Sequence, residues 1–245
     1  MTGRDSMPFI LHIETATNVC SIALTGDGQL LSLRESTIRN SHAAVITRFI
    51  DEVIKSSNLD LSAIDAIAVS KGPGSYTGLR IGVATAKGLC YALDKPLIAI
   101  PTLHSMASGI RHLASGIRQS ASNNMIFFCP MIDARRMEVY YALYDFNGNE
   151  IRETRAEIIG EDSFSDILTD HTIIFGGNGS PKCREVLKSQ KNAIFIDEFN
   201  ASAQYMFALV EDRYGRKEFE DLAYFEPFYL KDFIAGKPKV KGLNF

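Results

Sequence analysis

The alternation of apolar and polar positions divides the chain into two similar runs of elements. Residues 9–13 form a short apolar stretch, and residues 19–24 and 29–35 alternate as two further strands joined by Gly26-Asp27-Gly28, a hairpin turn. From His42 the period changes: Ile46, Phe49, Ile50, Val53 and Ile54 recur at the spacing of one helix face, predicting an amphipathic helix that ends near Asn58. A strand over 65–70, a helix over 77–93, a strand over 96–100 and a helix over 103–115 follow. The small, polar residues 116–124 read as a linker. Strands are then predicted over 125–132, 138–145 and up to 158, a weak helix over 162–168, a strand over 172–175, a helix over 181–188 with Pro181 in its first turn, a strand over 193–196 and a helix over 201–214. The order βββαβαβα thus occurs twice, without an alignable sequence repeat.

Two tandem α/β lobes of this order are the ribonuclease H-like architecture of the actin, sugar-kinase and Hsp70 superfamily. The expected organisation is a first, partner-binding lobe over 1–115, a linker over 116–124, a second, degenerate lobe over 125–230 and a C-terminal tail over 231–245. Active proteins of that architecture hold ATP between the lobes on glycine-bearing acidic hairpins, where glycine lets the backbone approach a phosphate and a carboxylate orders the metal's water. Here the first such turn, Glu14-Thr15-Ala16-Thr17, has no glycine, and Thr15 and Thr17 suit a turn-stabilising role equally well. The second, Asp133-Ala134-Arg135-Arg136, carries two arginines, which either bind an anion or pair with Asp133 or Glu138. Gly176-Gly177-Asn178-Gly179-Ser180 reads as a strand-to-helix turn or an adenosine seat.

Composition narrows the choices. With 245 residues, 46% apolar, 22% charged and a net charge of −3, the chain has an ordinary globular balance and no general attraction for polyanions. No apolar run reaches the roughly 20 residues of a membrane span, and residues 1–7 are polar, unlike a secretory leader. Cys20, Cys90, Cys129 and Cys183 are far apart with no CxxC, which predicts buried free thiols and a cytoplasmic protein. The five histidines show neither HxxxH nor HExxH. His104 and His112 lie eight apart, about 12 Å along a helix and too far for one metal. There is no GxSxG elbow, and Ser75 or Thr77 suits a helix N-cap. The stretch Lys71-Gly72-Pro73-Gly74-Ser75-Tyr76-Thr77-Gly78 looks at first like a phosphate loop, but no lysine follows the glycines at the required spacing. It launches a helix with two small-residue rows: Gly78, Gly82 and Ala86, and, roughly opposite, Ala84, Gly88 and Ala92. Small residues let helices approach closely. One row can seat on the sheet and leave the other for a neighbour, or both can pack within the lobe.

Three blocks, residues 10–17, 71–82 and 133–140, resemble the TsaB (YeaZ-like) family. The resemblance implies a catalytically silent relative and partner of TsaD, the metal-dependent enzyme that transfers threonylcarbamoyl to the adenosine beside the anticodon in tRNAs reading codons that begin with A. It implies a complex with TsaD and the ATPase TsaE, contact with tRNA only through that complex, and a homodimer when TsaD is absent. No cofactor, metal or membrane is implied. Where TsaD has a metal-binding His-x-x-x-His, this chain has Thr102 and Met106, with His104 between them. The family's partner contact lies on the first two helices, which marks Ile46, Phe49, Ile50, Val53, Arg80, Val83, Ala84, Lys87, Gly88 and Tyr91. The lysines at 237, 239 and 241 form either a tRNA contact or a solvated tail. An ATP-dependent small-molecule kinase or ligase using the interlobe cleft is the competing expectation.

Overall fold

The computed structural model describes residues 8–38, 41–116 and 125–231; residues 1–7, most of the expected linker and all but the first residue of the tail lie outside them. The first sheet is built from β1 (Ile10–Glu14), β2 (Cys20–Gly26), β3 (Gln29–Ser36), β4 (Ala66–Gly72) and β5 (Leu97–Pro101), in the order β3-β2-β1-β4-β5. The second contains β6 (Ile126–Asp133), β7 (Glu138–Tyr144), β8 (Glu150–Ile158), β9 (Thr172–Gly176) and β10 (Ala193–Phe195), in the order β10-β9-β6-β7-β8. In each, the first three strands form an antiparallel meander and the last two run parallel to the first. The two sheets repeat one topology, as the duplicated element order predicts. The β2–β3 hairpin turns through Asp27 and Gly28, both with positive φ.

The helices are α1 (His42–Ser56), α2 (Tyr76–Leu93), α3 (Thr102–Leu113), α4 (Ser165–Leu168), α5 (Ser180–Arg184) and α6 (Phe207–Gly215). The apolar stripe of α1 and the buried side of α2 cover one face of the first sheet, around Leu11, Ile13, Ile22 and Val69. Two helices are shorter than the periodicity predicts. Phe164 takes a left-handed φ of 65° and delays α4 to Ser165, and α5 gives way to turns after Arg184.

The inner faces correct the expected division at 125–230. The outer side of the second sheet has its own core, with Phe127, Phe175, Cys183 and Leu187. Its inner side packs on α3, a first-lobe helix in sequence, through Leu103, Met106 and Ile110 against Phe128, Ile132 and Ile174. The helix expected over 201–214 starts as a 3₁₀ turn (Ala203–Met206), and its Met206 and Val210 pack with Ile10, Ala68, Ile98 and Ile100 of the first sheet. The closing helices are therefore exchanged between the lobes. They cross where a Cβ on Gly109 would lie 2.5 Å from the Tyr205 ring. Beyond α6 the chain stays on the first lobe: Glu220 N–H donates to Leu97 O (2.9 Å) and Phe228 N–H to Lys71 O (2.6 Å). Residues 203–229 thus belong physically to the first lobe.

Candidate functional site: the exposed face of α2

α2 begins where the glycine-rich turn leaves β4, and the close contacts of that turn account for its glycines. A Cβ on Gly72, whose φ is +115°, would sit 2.3 Å from Phe228 O; one on Gly74 would sit 2.3 Å from Ala16 O. Ser75 is the N-cap and its hydroxyl accepts from Gly78 N, while Ser75 N–H donates to Ala16 O (2.6 Å). The glycines thus bring the helix start onto the Glu14–Thr17 turn. Thr15 Oγ1 donates to Gly78 O (2.8 Å) and Thr17 Oγ1 accepts from Val19 N (3.3 Å), the turn-stabilising roles open to them in the sequence.

Glu14, Thr15 and Ala16 are completely buried. Glu14 Oε1 accepts from Ala16 N (2.6 Å) and Ser70 Oγ (3.0 Å), and Oε2 has no hydrogen-bond partner. Burial pushes the Glu14 carboxyl up to about 7 against those hydrogen bonds. His12, two positions earlier on β1 and also buried, is pushed down to about 3 by the same desolvation. The equivalent turn of the second lobe is tied up too. Asp133 is bonded to Lys182, Asn178 Oδ1 accepts from Asp133 N (3.0 Å), and a Cβ on Gly177 would lie 2.2 Å from Met131 O. Gly177 and Gly179 thus serve the packing of one turn on another.

Thr102 and Met106 are buried, with Thr102 Oγ1 accepting from Gly72 N (3.1 Å). His104 stacks on Tyr144 with ring centroids 4.9 Å apart. Among the described residues no three metal-ligating side chains form a cluster. All four cysteines are free and buried.

α2 separates its two small-residue rows. Gly78, Gly82 and Ala86 face inward, and Cβ atoms on Gly78 and Gly82 would come within 2.1 Å and 2.2 Å of Thr15. Ala84, Gly88 and Ala92 are exposed, and nothing lies within 4 Å of where a Gly88 Cβ would be. Tyr91, one turn nearer the C-terminus, is 84% exposed.

The remaining expected contact residues divide by burial. Ile46, Phe49, Ile50, Val53 and Val83 are buried in the lobe's own core, so in the free chain they present no contact surface. Outside that stripe α1 carries charged side chains, including the Lys55–Asp51 (2.8 Å) and Arg48–Glu52 (3.6 Å) pairs. Lys87 is engaged by the C-terminal strap, donating to Phe225 O (2.9 Å) and Ala223 O (3.4 Å). Arg80 lies over the Tyr76 ring, which contacts Tyr229 (centroids 4.8 Å). The strap leaves no periodic signal in residues 220–229, whose sequence is compatible with packing back on a lobe but does not say which one or where.

A family model described as tRNA N6-adenosine threonylcarbamoyltransferase (TsaD) matches residues 36–231. The tRNA threonylcarbamoyladenosine biosynthesis protein TsaB of Haemophilus influenzae is 29% identical over 238 residues, covering 93% of this chain and 95% of that protein. TsaB of Escherichia coli is 37% identical over 142 residues, 58% of this chain and 57% of its own. A solved structure of YeaZ from Pseudomonas aeruginosa superposes with a TM-score of 0.74 at 24% identity, covering 91% of this chain and all of that one, and shares the fold. The chain belongs to the tRNA N6-adenosine threonylcarbamoyltransferase family and, within it, to the TsaB (YeaZ-like) members.

Proposed function

We propose that this chain serves the biosynthesis of threonylcarbamoyladenosine in tRNA as a non-catalytic subunit, docking a TsaD-type transferase through the exposed stripe Arg80, Ala84, Gly88 and Tyr91. A TsaE-type ATPase joins the complex, whose substrates are cytoplasmic tRNAs reading codons that begin with A. In the transferase's absence the same stripe pairs with a second copy of the chain. The relatives' names support the pathway. The observation that carries the docking reading is the open Gly88 at the centre of a small-residue row with a large exposed aromatic beside it. Such a row lets a partner helix approach closely and keep its side chains in contact. The sealed Glu14 turn supports a non-catalytic role, since that carboxylate is closed to a metal's water shell, and Asp133, though half-exposed, is paired with Lys182.

Gly88→Leu tests the reading, because the added side chain has room in the free chain and none in a close helix crossing. The variant is expected to melt at or slightly above the wild-type temperature and lose at least about tenfold in affinity for the transferase, measured by interferometry. Unchanged affinity would remove α2 from the interface. Titration of the lone chain with Mg-ATP separates this reading from the kinase one, which requires micromolar binding.

A further inference from the structure

We propose that the β6–β7 turn is a contact for the phosphodiester backbone of RNA, made by this chain itself; the substrate class rests on the tRNA reading above. Arg135 and Arg136 are exposed at the tip of this turn with φ of 73° and 50°. Bulky residues are uncommon in the left-handed region, which favours glycine and asparagine, so local backbone preference does not account for two successive arginines. Nor does neutralisation. Asp133 is bonded to Lys182, and Glu138 to Lys231. Among the described residues no carboxylate pairs with either guanidinium. Of the two sequence expectations, pairing of the arginines with Asp133 or Glu138 is therefore not the arrangement found among the described residues.

Lys182 braces the turn from behind, its Nζ donating to Arg136 O (2.8 Å) and Glu138 O (2.7 Å). Four basic groups thus surround two carboxylates that lysines already hold, on a chain whose net charge is −3. Local excess of this kind focuses a polyanion onto one place while the rest of the surface repels it. Guanidinium forks match phosphate oxygens geometrically. The turn also adjoins the docking face. Tyr229 packs on Tyr76 at the start of α2, and Lys231, two residues or at most about 7 Å on, is bonded to Glu138. RNA held by a partner on α2 has the turn beside it.

The test uses an unmodified tRNA transcript with the assembled complex and with the lone chain, reading affinity by fluorescence anisotropy across a salt series. Arg135→Ala/Arg136→Ala is expected to weaken binding about tenfold and to lower the slope of log K against log salt by about 1–2, with assembly unchanged. Arg135→Asn/Arg136→Gly removes the same charge with residues that suit the turn, so an equal loss at an undiminished melting temperature excludes misfolding as the cause. Arg135→Lys/Arg136→Lys is expected to retain most of the slope. Unchanged affinity and slope in both charge-removing variants would overturn the proposal. So would weakened assembly at constant tRNA affinity, which would make the turn a protein contact. Failure of the docking reading appears separately, as Gly88→Leu without effect on assembly, and the lone-chain series still reports on the turn.

Discussion

Glu14 and His12 are completely buried on one face of β1, and burial shifts them in opposite directions. Glu14 rises from an ordinary 4.5 to about 7, so between those values the folded chain keeps a proton that the unfolded chain has released. Its contribution is fully present below pH 4.5 and is lost as pH rises through 7. His12 falls from 6.5 to about 3; its contribution is complete above pH 6.5 and is lost as pH falls towards 3. Between pH 4.5 and 6.5 the two slopes oppose. Replacing one group should expose the other: relative to wild type, Glu14→Gln should make the melting temperature rise with pH across that window, and His12→Asn should make it fall. Calorimetry at fixed ionic strength reads both, and a Glu14→Gln profile parallel to wild type would show that the carboxyl does not titrate as its burial dictates. The sequence displays Glu14 as a carboxylate at the end of a strand, the right type for a metal's water shell. It does not display the seal, because Ser75 and Gly74, which close over the turn, are some 60 positions away.

At the scale of the element, α2 carries two glycine classes with opposite energetics. A methyl on Gly82 would meet Thr15 Oγ1 at 2.2 Å, whereas a methyl on Gly88 meets nothing within 4 Å. Gly82→Ala should destabilise the chain by about 1–3 kcal/mol through overpacking. Gly88→Ala should stabilise it by up to about 1 kcal/mol, because alanine loses less backbone entropy in a helix than glycine. Urea unfolding of the two variants tests the pair, and equal effects would mean that the helix is rotated from the orientation described. The existence of two rows was legible in the sequence, since spacing alone separates them. The use of each stripe was less so. Apolar periodicity marks Ile46, Phe49, Ile50 and Val53 as residues that must be covered, but it does not distinguish the lobe's own sheet from a partner as the cover, and the sheet takes them. Lys87 shows the same limit, because its acceptors lie more than 130 positions downstream.

In the whole molecule, duplication of the element order foretold two matching sheets, yet the ownership of the closing helices could not be read from it. Both inner sheet faces are apolar, so either would accept α3 or α6, and only the path of the chain through the described structure decides. The exchange has a thermodynamic consequence. If each lobe kept its own helices, the lobes could unfold separately. With α3 seated mainly on the second sheet and Met206 and Val210 on the first, neither sheet retains a covered inner face once the half of the sequence that carries the other sheet unfolds with its helix. Met206 is completely buried, so Met206→Ala should cost about 2–5 kcal/mol through lost burial and the cavity left behind. That loss should lower one common transition. Hydrogen exchange at the amides of β1 and β6 should show protection reduced in both sheets, although the substituted side chain packs in the core of the first. Protection lost in β1 and retained in β6 would show that the lobes unfold independently and that the exchanged helices do not couple them.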